Sequence, residues 1–172
     1  YIPRISDALL EHYLSTFGAV VIEGPKWCGK TTSAARKARS GLRLADPANN
    51  HQNRRLAELN TKYALEGVRP RLIDEWQEVP AIWDAVRYEC DQAHGAPGQF
   101  LLTGSATPHK NAQPTHSGAG RFGRVRMDTL TLAEQGISSK ATSLASLFAG
   151  SEPQGASKLS LEDIADIVCK GG

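Results

Sequence analysis

From Gly24 to Thr31 the chain reads Gly-Pro-Lys-Trp-Cys-Gly-Lys-Thr, which satisfies the spacing G-x-x-x-x-G-K-[ST] in full. The chemistry this spacing serves is capture of a phosphate chain. Glycines let backbone N–H groups converge on an anion, and a helix opening just after them adds roughly half a positive charge at its N-terminus. Lys30 then carries the ammonium that reaches the β- and γ-phosphates, and the Thr31 hydroxyl is a ligand for Mg²⁺. The candidate nucleotide-binding residues are Gly24, Pro25, Lys26, Trp27, Cys28, Gly29, Lys30, Thr31 and Thr32, with Trp27 and Cys28 at variable positions expected to shape the loop. The competing reading is a glycine turn that caps a helix beside an incidental Lys-Thr pair.

Two adjacent carboxylates, Asp74 and Glu75, close the apolar run Leu72-Ile73. Like charges side by side at the end of a buried strand are costly unless a cation compensates them, and magnesium is that cation. In phosphate-loop enzymes the first carboxylate holds the metal through water and orients the loop hydroxyl, which is the expectation for Asp74 and Thr31. Glu75 is then the group that polarises the attacking water. The alternative for both is a helix N-cap with an acidic first turn ahead of Pro80. Glu78 reads as surface.

Thr103 and Ser105 follow a further apolar run, where a hydroxyl commonly senses the γ-phosphate by bonding to the lytic water; an ordinary Thr-Gly-Ser turn competes equally. Among Arg121, Arg124 and Arg126, Arg121 is the candidate arginine finger, in cis or from a neighbouring subunit, and the others are expected to be solvated or salt-bridged. His94, His109 and His116 lack metal-ligand spacing and are assigned no role.

These groups need a scaffold that carries them to one place. Apolar recurrence at Leu9, Leu10, Tyr13 and Leu14 predicts a helix over 6–17. Ala19 to Ile22 predicts a buried strand, and Thr31 to Arg39 a helix closed by Gly41. Leu42 to Ala45 predicts a second strand, Asn53 to Leu65 a helix, and Leu72-Ile73 a third strand. Pro80 suits the first residue of a helix whose Ile82, Trp83, Val86 and Cys90 face inward; Phe100 to Leu102 and Arg124 to Leu132 predict the last two strands. Between them, Thr107 to Gly120 is small and polar and reads as a mobile surface loop. Ser160 to Val168 predicts a helix capped by Ser160 and Asp163. Alternating apolar strands and helices imply a parallel sheet covered on both faces, with ligands beyond the carboxyl ends of the strands.

The 172 residues suit one globular domain, and 40% hydrophobic content suffices for a core. A net charge of +2 gives little of the signature of a dedicated nucleic-acid binder. Contact with DNA through Arg36, Lys37, Arg39 and Arg43 competes with a solvated basic helix face. Cys28, Cys90 and Cys169 stand far apart without metal-ligand spacing, which argues against zinc and against a disulfide framework. No apolar run approaches the roughly 18 residues of a membrane span, and the first residues lack the apolar stretch of a signal peptide, so a soluble, cytoplasmic protein is expected. The chain starts without Met and stops directly after an amphipathic segment, the expectation being a piece of a longer protein.

With these motifs in place, the chain resembles a prokaryotic group of AAA+-related ATPases of unassigned cellular role. The resemblance rests on GPKWCGKTT at Gly24 to Thr32, RPRLIDEWQEVP at Arg69 to Pro80, FLLTGSATP at Phe100 to Pro108 and HSGAGRF at His116 to Phe122, and extends to the closing IADIVCKGG. It implies a P-loop NTPase of the RecA/AAA-like α/β class, a parallel five-stranded sheet in the order 5-1-4-3-2 with helices on both faces. It also implies ATP and Mg²⁺ as ligands, nucleotide binding at Gly24, Gly29, Lys30 and Thr31, metal at Asp74 and water activation at Glu75. Members look like two-part proteins, so residues 1–136 are expected to be the ATPase domain and 137–172 a small helical extension leading to a C-terminal domain absent from this chain. Homo-oligomers are a further expectation.

Three functions stay open at this stage. ATP hydrolysis coupled to conformational change leads. A P-loop kinase is weighed against by the Asp74-Glu75 tandem and by the lack of an Arg-rich lid, and a nucleotide-gated switch that hydrolyses little is the third. A GTPase is disfavoured because no [NT]-K-x-D pattern follows the fourth strand.

Overall fold

The computed structural model describes residues 1–105, 118–138, 140–153, 155 and 157–170. Most of the expected loop Thr107–Gly120, with His109 and His116, lies outside the described residues, as does the side chain of Ser105.

The run Ala19-Val20-Val21-Ile22 opens β1 (Ala19–Gly24). Ala19 and Val21 join one buried cluster, while Val20 and Ile22 join another. Successive side chains on a strand point to opposite faces, and a strand buried on both faces has no place for polar alternation. β2 (Ser40–Arg43), β3 (Arg71–Asp74), β4 (Phe100–Ser105) and β5 (Phe122–Arg126) complete a five-stranded sheet in the order β2-β3-β4-β1-β5, with every neighbouring pair parallel. Read from its other edge, this is the expected order 5-1-4-3-2.

Helices bury both faces. α1 (Ser6–Leu14) contributes Leu10 and α2 (Lys30–Lys37) contributes Ala34 to the cluster that holds Val20 and Ile22. On the opposite face α3 (Ala48–Leu59) supplies Ala57, and α4 (Thr61–Leu65) supplies Ala64 and Leu65. α5 (Ala81–Gln92) adds Ile82, Trp83, Val86 and Cys90 there, the four residues its helical period points inward.

Several boundaries differ from expectation for local reasons. The helix expected over 53–65 is two helices, because Asn60 is extended (φ −148°, ψ 103°) and its side chain accepts the Lys62 N–H, capping a fresh start. β4 runs on through Thr103 to Ser105 because β1 continues beside it to Gly24, giving the ladder a partner. β5 begins at Phe122 and stops at Arg126; its neighbour β1 ends at Gly24, so nothing remains for a longer strand to pair with.

The sheet and α1 to α5 lie within one compact unit, Ser6–Asp128. Tyr1–Ile5 and Thr129–Gly172 form a second unit. Within that second unit Glu134 accepts from Arg4 Nε at 3.0 Å, from the Ile5 N–H at 2.6 Å and from the Thr131 N–H at 2.8 Å. α6 (Leu144–Phe148) and α7 (Leu161–Lys170) belong to it, and α7 is capped reciprocally by Ser160 and Asp163. Among the described residues, no helix is long and apolar enough to cross a membrane.

Candidate functional site

In an all-parallel sheet every carboxyl end lies along one edge, so residues far apart in sequence meet there. Register sets Gly24 beside Ser105 and Asp74 beside Thr103. The chain leaves β1 at Gly24 and turns into α2 through Gly29, whose left-handed backbone (φ 95°, ψ 12°) glycine adopts freely. No side chain caps α2, which leaves its first N–H groups turned toward whatever anion approaches.

Lys30 is buried to 6% exposure and its ammonium folds back over the loop, donating to Gly24 O at 3.0 Å and Pro25 O at 2.6 Å. A buried ammonium needs such acceptors, and a phosphate oxygen is a stronger one. Cys28 is buried inside the loop, its thiol donating to Met127 O at 3.4 Å. Trp27 is fully exposed, with a positive φ of 69°. Lys26, Trp27, Gly29, Lys30, Thr31, Thr32 and Glu75 line a cavity of about 400 Å³ over the loop.

Thr31 Oγ1 donates to Asp74 Oδ1 at 2.7 Å. Thr103 Oγ1 donates to the same oxygen from the neighbouring strand. This convergence joins the start of α2, the end of β3 and the middle of β4 on one carboxylate. The donor chemistry fits a magnesium ion, which takes hard oxygens and is held by one or two protein groups with water and phosphate filling its other positions. Among the described residues no set of three or more His, Cys, Asp and Glu could hold a metal by itself. Glu75 follows Asp74 in a left-handed conformation (φ 56°, ψ 50°) that turns the chain into a 3-10 turn at Trp76–Glu78. It makes no side-chain cap there; its Oε2 instead accepts from Gln77 Nε2.

Other expected site residues lie elsewhere or serve differently. Thr103 is fully buried and its hydroxyl donates to Asp74, which braces the carboxylate. Arg121 precedes β5 and therefore stands at the amino edge of the sheet, opposite the phosphate loop; it pairs with Asp91 at 2.7 Å. A finger in cis is corrected by this placement, since the strand's own length separates Arg121 from Gly24. Arg124 pairs with Glu23, and Arg126, in register with Glu23 near the carboxyl edge, reaches Asp128. Glu78 pairs with Arg54 at 2.8 Å. Lys37 pairs with Glu11, while Arg39 and Arg43 rim a separate cavity of about 450 Å³ beside β2. Cys90 in α5 is pushed up to about 11, chiefly by burial, and stays a thiol.

Sequence reasoning overlooked Gln77 and Met127. Gln77 left a signal, since an amide two residues after a strand-end carboxylate is within reach of it once the chain turns. Met127 left none, because it takes part through its backbone oxygen alone.

Comparison with known proteins agrees with this geometry. The model of the AAA domain family matches residues 16–135, the span from the end of α1 past β5. An uncharacterized protein of Mycobacterium bovis and an uncharacterized protein of Mycobacterium tuberculosis are each 32% identical to the chain over 137 residues, covering 78% of it. The chain spans about 30% of the length of these curated relatives. A match that takes in the phosphate loop, Asp74 and the whole sheet leaves one assignment: the chain belongs to the AAA domain family and has its nucleotide-binding, P-loop ATPase-like function.

Proposed function

We propose that this domain binds ATP together with Mg²⁺ and hydrolyses it to ADP and phosphate. One observation carries the reading: the Thr31 hydroxyl and the Asp74 carboxylate converge at 2.7 Å while Glu75, the next residue, lines the cavity that also holds Lys30. The glycine loop and the start of α2 bind the phosphates through backbone N–H groups. Lys30 exchanges the carbonyls of Gly24 and Pro25 for phosphate oxygens, moving its charge onto the leaving group. Thr31 and Asp74 hold the magnesium, with Thr103 fixing the carboxylate from behind. When bound, that ion neutralises charge on the phosphate oxygens.

Glu75 takes the proton of the attacking water. The water oxygen forms the new bond to the γ-phosphorus as the bond to the β–γ bridging oxygen breaks, and that oxygen leaves with ADP. The left-handed backbone at Glu75 turns the chain out of β3 where its side chain lines the cavity. In this reading hydrolysis drives a conformational change passed on through residues 137–172, a helical extension, to a further domain of a longer cytoplasmic protein. A homo-oligomer that presents an arginine in trans belongs to the same reading.

Glu75→Gln tests it. The variant is expected to bind ATP and magnesium with wild-type affinity in calorimetric titration while turnover drops by about 10²–10⁴-fold. Turnover equal to wild type would remove Glu75 from the reaction.

A further inference from the structure

Gln77 is an amide buried to 7% exposure directly behind the candidate base. A carboxylate can only accept, so the bond to Glu75 Oε2 must come from Nε2, and this fixes which way the amide lies. Its Oε1 is then turned inward, where among the described residues it has no hydrogen-bond partner. Against it stands Gly104 of β4; a Cβ at that position would come within 2.6 Å of the Gln77 oxygen. Glycine at 104 thus leaves room for an amide whose outer end holds Glu75 and whose inner end gains nothing.

A buried amide oxygen without a partner carries a cost, and an apolar side chain of the same shape would fill the space without it. The compensating function lies at the other end. Glu75 lines the cavity from a turn and, among the described residues, accepts its side-chain hydrogen bond from Gln77, whereas a general base must be held at its reacting geometry.

We propose that Gln77 is the positioning residue for Glu75, its side-chain N–H gripping one carboxylate oxygen so that the other faces the γ-phosphate end of the cavity. This rests on the reading of Glu75 as the base. The residues that line the cavity do not include Gln77, which acts through the carboxylate.

Gln77→Met keeps the volume, removes the donor and removes the orphaned oxygen. It is expected to lower kcat for ATP by tenfold or more while the ATP dissociation constant stays at its wild-type value and the midpoint of thermal unfolding does not fall. A role in packing alone would not move kcat at constant affinity. A Gln77→Met variant with wild-type kcat, or one whose loss of turnover is matched by loss of ATP binding, overturns the proposal.

A second readout needs no turnover. In the ¹⁵N-labelled chain the Gln77 side-chain amide resonances should shift on Glu75→Ala while the backbone spectrum stays native. Resonances that do not respond refute the pairing whatever the kinetics. An amide response in a wild-type chain that turns over no ATP supports the pairing and sinks the hydrolytic reading by itself.

Discussion

At Gly24 a Cβ would lie 1.9 Å from the Met127 carbonyl oxygen and 3.1 Å from Cys28 Sγ. The glycine is required by close approach, not by its φ, because β1 delivers the chain against the segment that leaves β5 just as the phosphate loop begins. That contact also seats Cys28, whose thiol bonds to the same carbonyl. Gly24→Ala forces the loop or Met127 to shift. The expected outcome is a loss of about 1–3 kcal/mol in chemical unfolding, with ATP affinity down about tenfold or more in titration. Wild-type values for both would mean that the loop has slack at its first glycine. Asp74 shows the same economy of position at the other side of the site, one oxygen serving Thr31 and Thr103 together.

Among the elements, α5 and β5 hold the scaffold together through aromatic contact. Trp83 of α5 is 1% exposed and stacks on Phe122 at the start of β5, ring centroids 4.2 Å apart and 3° from parallel. Trp76, in the turn that follows Glu75, lies 5.0 Å from the same indole. One side chain thus ties the edge strand to the turn that carries the candidate base. Trp83→Ala is expected to cost about 3–5 kcal/mol in urea-induced unfolding, the usual range for emptying a buried aromatic site. A cost within the range of a surface substitution would mean that the face re-closes around the gap.

At the scale of the whole molecule, a local acid response is expected at Glu134, in the unit formed by Tyr1–Ile5 and Thr129–Gly172. Burial raises its carboxyl, but hydrogen bonds from the Thr131 and Ile5 amides, from Arg4 and from the Thr131 hydroxyl outweigh burial and bring it down to about 2. An unfolded glutamate titrates near about 4.3. A depressed folded value means stabilisation that is complete above the unfolded value and disappears as pH falls through the folded one. Amide exchange at Ile5 and Thr131, corrected for intrinsic rates, should keep constant protection above about pH 5 and lose it toward about pH 2. Glu134→Gln should abolish that dependence, and an unchanged profile in the variant would assign the acid response to another group.

The sequence alone determined what is contiguous. A phosphate loop is one unbroken stretch whose residue types do the chemistry directly, so Gly24 to Thr31 could be read as such, and the apolar runs of a doubly covered sheet announce themselves without alternation. Tertiary structure decided everything that depends on register. Thr103 looks like a group at a strand end, yet it lies within β4 because β1 runs on beside it, and its hydroxyl meets Asp74. Arg121 is a candidate finger by residue type and place in the chain, but a residue that precedes a strand of a parallel sheet stands at the edge opposite the loop. The grip of Gln77 on Glu75 depends on a left-handed residue and on a glycine in another strand. Hydrogen bonds act over about 3 Å through space, and separation along the chain carries no measure of that distance until strand order and register are known.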